Sequence, residues 1–169
     1  QNKTLYGVLG AITNFMRAFP FVILMIAMSP FTKAIVVTGI GPIAASLVLA
    51  IAGSFYFARL VEQNLREVPR GIIEATESMG ARPFTIIKVL LNEARSGLVL
   101  SVTILCISLL SFSAAAGMIG GGGLGDLAIR YGYYRYQTEV MVFIVVMLSI
   151  MVIGIQASGN WIAMRLDKR

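Results

Sequence analysis

The chain alternates between long apolar runs and short polar interruptions, and the runs are too long for the core helices of a soluble domain. Residues 96 to 125 and 140 to 164 contain no charged side chain. A helix needs about 20 apolar residues to cross a hydrocarbon layer, so each run is long enough to span. Between Leu98 and Phe112 ten positions are Leu, Val, Ile or Phe. At about −0.3 to −0.6 kcal/mol each, they favour insertion by roughly 3–6 kcal/mol, which Ser101, Thr103, Ser108 and Ser111 do not cancel. Two earlier runs complete the pattern. One covers 5 to 31, with Pro20 inside it and Pro30 near its end; the other covers 43 to 62, its most apolar part ending at Ala58. The expected fold class is all-α: one polytopic membrane domain over 1–169, with spans at about 5–31, 43–62, 96–118 and 140–164.

The polar interruptions refine this picture. Pro20 predicts a kink, which membrane helices tolerate when neighbours satisfy the freed carbonyl. Arg17 is expected near the inner end of the first span, where its long side chain can reach water. Lys33 to Pro42 reads as a connection, with Gly39, Gly41 and Pro42 as turn residues. Arg59, Glu62 and Arg66 continue the second helix beyond the membrane, with Glu62 four residues ahead of Arg66 in the favourable order. Residues 66 to 95 form a charged insert. Pro69 suits the start of a short helix and Gly80 its stop. Ile72, Thr76 and Met79 share one face of it, and Glu74 and Glu77 another. Pro83 opens a second short helix with Phe84, Ile87, Leu91 and Ala94 along one side. Two short helices joined at a glycine make a compact knob. It reads equally as a grip for another protein and as a helix resting on the membrane surface.

Composition and charge narrow the function classes. The chain is 57% hydrophobic and 13% charged, against about 25% charged in an ordinary soluble domain. With the insert placed on the cytoplasmic side, the inner face holds Lys3, Arg17, Arg59, Arg66, Arg70, Arg82, Lys88, Arg95, Arg165, Lys168 and Arg169. The outer face holds Lys33, Arg130 and Arg135, so the count is eleven against three. Cytoplasmic loops carry the excess of Lys and Arg, which makes the insert cytoplasmic. The net charge of +6 is thereby explained by orientation. No basic face interleaved with aromatics points to nucleic acid. The chain has no histidine and one cysteine, which removes disulfides, zinc clusters and imidazole catalysis. None of its eight acidic residues lies deep in a span, which argues against an intramembrane enzyme. Cys106, mid-span, reads as a small buried hydrophobe.

Gly120, Gly122 and Gly125 fit G-x-G-x-x-G, but they follow a membrane helix, no strand precedes them, and the region near Val145 is apolar. They are no dinucleotide fingerprint, and no Gly-Lys-Ser/Thr is present for a P-loop. Glycines here serve a tight turn and close helix approach. Ser113 to Gly117 gives the third span a face of small residues against which two subunits could pack and slide. Ordinary helix packing explains Ser113, Ala115, Met118 and Gly120 at least as well. Tyr131, Tyr133, Tyr134 and Tyr136, with Arg130 and Arg135, fit an aromatic belt; contact with an external protein is the second reading.

Glu74-Ala75-Thr76 followed by three residues and Gly80 resembles the EAA loop of ABC importer permeases. The stretch Gly120 to Tyr133, Phe19-Pro-Phe and Ile72-Ile-Glu-Ala are similar to the methionine-importing group of that family, so the resemblance covers nearly the whole chain. It implies a transport subunit of a bacterial inner membrane, not an enzyme, lying in the lipid bilayer as a homodimer, with Ser113, Ala115, Met118 and Gly120 as candidate pathway or gate residues. It implies that Glu74, Ala75, Thr76, Met79, Gly80, Ala81 and Pro83 meet a dimeric cytoplasmic ABC ATPase, which holds the ATP and magnesium; no cofactor is implied in this chain. An external substrate-binding protein or lipoprotein would deliver methionine, L- or D-, with another amino acid or small solute as cargo, or a scaffolding role, as alternatives. Two departures stand out. Asn92 replaces the usual proline after Leu91, and the spacing after Gly80 is one residue short, which rotates the Ile86 to Leu91 segment by about 100°. The chain begins at Gln1 without a signal-peptide layout and lacks an upstream span relative to this pattern, so five spans are expected in a complete subunit.

Overall fold

The computed structural model describes residues 3–167, and every regular element among them is helical. Of the cations expected on the inner side, Lys168, Arg169 and the side chain of Lys3 lie outside the described residues. In order come α1 (Lys3–Ala18), α2 (Phe21–Ala27), α3 (Ser29–Val36), α4 (Pro42–Glu67), α5 (Arg70–Ser78), α6 (Pro83–Glu93), α7 (Arg95–Gly117), α8 (Gly123–Leu127), a π-helical turn (Ala128–Tyr133) and α9 (Thr138–Leu166).

Three of these helices, α4, α7 and α9, are long and apolar enough to cross a membrane; a bent pair formed by α1 and α2 makes a fourth crossing if taken as one. The outward face of α9 is apolar, with Phe143, Ile150 and Ile153 each about two-thirds exposed. In water such a face would be unstable; against lipid tails it is at home. The polar extension of α4 forms as expected. Glu62 bridges Arg59 at 2.6 Å and Arg66 at 2.7 Å along one side. The helix ends at Val68, whose extended backbone is what a following proline, Pro69, demands.

The first apolar run departs from the expected kinked helix over 5–31. It breaks completely after Ala18, and α2 leaves at 101° to α1. Pro20 has no N–H to continue α1, and its carbonyl instead accepts from Leu24 N at 3.0 Å to start α2. Burial sets the new direction. Phe21, Leu24 and Met25 turn onto Ala45, Val48 and Ala116 in the main apolar core, and the Phe21 ring stacks on Phe112 at 4.9 Å. One further expectation shifts with it: Lys33 belongs to α3, so the connection shrinks to 37–41. Arg17 lies at the break, with its guanidinium 5.8 Å from the Tyr56 ring centre.

Helix α7 is the centre of the bundle. Gly53 of α4 meets the Leu105 and Leu109 side chains, and Gly159 of α9 faces Thr103. Small residues at crossings let membrane helices approach closely, where lipid offers no hydrophobic drive for association.

Candidate functional site

The 66–95 insert folds as a helical hairpin. Helix α5 ends in a Schellman arrangement: Gly80 takes φ +73°, its N–H donates to Glu77 O at 2.9 Å, and Ala81 N–H donates to Thr76 O at 3.3 Å. That geometry needs a left-handed residue just past the helix, which glycine supplies without a Cβ clash. Thr76 is buried, with its hydroxyl on Ile72 O at 2.6 Å. Glu74, Ala75 and Pro83 are exposed, and Ala81 is half-buried. Met79 was expected to share the Ile72–Thr76 face, but it is the C-cap and stands 78% exposed. Phe84, at the start of α6, is exposed to the same degree at 79%. The turn therefore presents Met79, Gly80, Pro83 and Phe84 outward together.

Along α6 the row Phe84, Ile87 and Leu91 faces outward, while Ile86, Val89 and Leu90 are half-buried; Ala94, expected on the same row, lies just beyond the helix and is buried. Asn92 keeps its backbone N–H within α6, so the helix runs on to Glu93; a proline at that position would remove a helical hydrogen bond and crowd the preceding turn.

At the same end of the bundle is a set of polar links that the sequence did not announce. Arg95 Nε donates to Leu166 O at 2.9 Å and Ser96 Oγ to Ala163 O at 3.1 Å. Asn64 Nδ2 donates to Ser101 Oγ at 2.6 Å. On the other flank of α4, the Tyr6 hydroxyl donates to Glu62 and accepts from Arg66. Asn64, Asn92, Arg95, Ser96 and Asp167 border a cleft of about 210 Å³ between the helix ends. Arg95 and Ser96 read in sequence only as the flank of a span; nothing local marks a partner some seventy positions away.

The glycine run closes the opposite end. Gly120, Gly122 and Gly123 all have φ between +74° and +87°. Helix α8 folds back so tightly that a Cβ on Gly125 would strike the Ala114 carbonyl, and one on Gly117 the backbone of Gly125 and Asp126. The small-residue face expected for a second subunit is thus partly consumed inside the chain, with Ala116 and Gly117 buried. Of the candidate gate residues, Ser113 is exposed, Ala115 half-buried, Met118 61% exposed, and Gly120 stands beside Ile40. They share this end but lie a full α7 length, roughly 35 Å at 1.5 Å per residue, from the hairpin. In the π-helical turn Arg130 pairs with Asp126 at 2.7 Å, and Arg135 lies 4.6 Å from the Tyr131 ring centre. Cys106 corrects its expectation: it is exposed, on a groove of about 650 Å³ between α4, α7 and α9 lined by Phe57, Val102 and Ile155. Among the described residues no group of three or more His, Cys, Asp or Glu comes together to hold a metal.

An all-helical membrane bundle with a capped hairpin between its first and second straight crossings narrows the relatives, and the whole sequence, residues 1–169, matches the family model described as binding-protein-dependent transport system inner membrane component. The chain belongs to this family. Like other such components it is a multi-pass inner-membrane transport subunit and not itself an enzyme. It is 49% identical to the probable D-methionine transport system permease protein MetI of Vibrio cholerae, covering 100% of this chain and 76% of that protein. It is 44% identical to the methionine import system permease protein MetP of Bacillus subtilis, covering 100% and 77%. In structure it superposes on a chain of the inward-facing MetNI methionine ABC transporter with a TM-score of 0.95 and 43% identity, covering 99% of this chain and 78% of that one.

Proposed function

We propose that this inner membrane component is the permease subunit of a methionine importer, taking the L- or D-form, and that the α5–α6 hairpin is where it couples to a separate ATPase. The observation that carries the cargo is the likeness, over the full length of the chain, to permeases named for methionine in two distantly related bacteria. In this reading two permease copies line one pathway, and an external binding protein or lipoprotein delivers the amino acid. Two ATPase subunits, holding ATP and magnesium, grip the turn through its exposed Glu74, Ala75, Met79, Gly80 and Pro83, while the buried Thr76 and half-buried Ala81 hold its shape. Ser113, Ala115, Met118 and Gly120 sit at the far end, where an outer gate would close. The permease needs no reacting group. Its work is to favour one of two conformations according to what is bound, and coupling between two sites is a free energy shared by both.

The test is uptake of labelled methionine at low concentration in cells with and without the gene, each other amino acid added singly as competitor. Loss of uptake without the gene, with competition confined to methionine and close analogues, is the expected result. Unchanged methionine uptake overturns the cargo.

A further inference from the structure

Where the hairpin rejoins the bundle, two neighbouring side chains reach across to the last turn of α9. Both acceptors belong to the last turn of α9: Ala163 O also accepts from the Asp167 N–H at 2.9 Å, while Leu166 O stands at the last residue of the helix, where carbonyls lack helical partners. A guanidinium there also meets the negative end of the helix dipole. These are not local caps, since the partners are 67 and 71 residues apart in sequence. On the other side Asn64 of α4 holds Ser101, and α4 comes in so close that Gly97 leaves no room for a Cβ beside the Asn64 amide. The hairpin exit, α4, α7 and α9 therefore meet in one polar bracket. Only Ala94, itself buried, separates Arg95 from the end of α6 at Glu93, so a displacement of α6 is carried directly to residue 95.

Further along, α7 and α9 meet again where Thr103 packs against Gly159. The bonds of Arg95 and Ser96 add directed links to that packing at the end nearest the hairpin.

We propose that Arg95 is a positioning residue for coupling: its Nε–H, bound to the Leu166 carbonyl, transfers movement of the hairpin into α9. The start of α7 and the end of α9 then move as one body with α6. This rests on the reading of the hairpin as the ATPase contact.

Two substitutions isolate the bond. Gln at 95 places an N–H donor, and Met a methyl group, at the position of Nε; the chain length is the same and both lose the charge. The measurement is methionine delivered per ATP hydrolysed, in vesicles reconstituted with the permease, its ATPase and its binding protein. Arg95→Gln is expected to keep the wild-type ratio within about twofold, and Arg95→Met to lower it roughly fivefold, the scale of one lost hydrogen bond. In both, the ATPase stays bound and active. Equal ratios in the two variants overturn the proposal: both normal means the link is unused, both low means that charge or packing matters instead of the donor. If the Arg95→Met complex does not assemble, Ser96→Ala, which cuts the second link alone, supplies the readout; a lowered ratio supports the bracket and an unchanged one overturns it. Failure of the hairpin reading looks different, because an ATPase that does not co-purify with the wild-type permease refutes it whatever residue 95 does.

Discussion

Gly154 and Gly159 stand on the same helix little more than a turn apart, yet a methyl group added to each meets different surroundings. At 154 it finds open space; at 159 it collides with the hydroxyl and methyl of Thr103. Thr103 cannot swing aside easily, being buried, β-branched and bonded to Val99 O at 2.9 Å. Gly159→Ala is expected to destabilise the subunit by about 1–3 kcal/mol through overpacking. Gly154→Ala should stabilise it by roughly 0.5–1 kcal/mol, by restricting the unfolded chain in a helix interior. Thermal unfolding of the two variants in detergent should shift in opposite directions; an unmoved midpoint for Gly159→Ala would mean that α7 and α9 do not touch there. The sequence shows both glycines in one uncharged run and offers no way to rank them. Rotation of a helix about its axis is written in the contrast between its faces, and a helix apolar all round carries little contrast. The same blindness hides Arg95 and Ser96, whose partners are backbone carbonyls that no side-chain pattern reveals.

Among the elements, the ends of helices were easier to read than their directions. Pro69 and Gly80 delimit α5 as expected, because a missing N–H and a left-handed backbone act locally. Pro20 marks where α1 stops, but the 101° turn beyond it depends on where Phe21 and Leu24 find cover, which is a tertiary matter. The one-residue shortening after Gly80 and the change to Asn92 leave α6 whole, with its apolar row outward. The hairpin turn yields a prediction of its own. Asn tolerates the left-handed region and adds little bulk, whereas Trp is strained there by about 1–2 kcal/mol and would project from the exposed turn. Gly80→Asn is expected to keep ATPase co-purification and at least roughly half of wild-type transport. Gly80→Trp should lose both while the amount of permease in the membrane stays the same. Normal transport by the Trp variant would remove the turn from the docking surface.

For the molecule as a whole, the number and order of the straight crossings were legible from run length alone, because the thickness of a bilayer is a constraint that every span meets independently. Orientation rests on the eleven-to-three division of cations and can be checked directly. In a Cys106→Ala background, Met79→Cys should react with a membrane-impermeant maleimide in inside-out vesicles and not in intact cells, and Tyr134→Cys the reverse. Exchanged patterns would turn the molecule over. The uncharged stretch of α9, residues 140–164, carries a consequence beyond topology. At 1.5 Å per residue it is about 37 Å long, against a hydrocarbon layer of about 30 Å. A helix too long for its layer leans over or thickens the lipid around it. Since α9 is tied to α7 at one end by Arg95 and Ser96, it cannot lean alone, and the tilt belongs to the bundle. The length of the surrounding acyl chains thereby becomes a mechanical variable of the transporter, pressing on the same joint through which the hairpin acts.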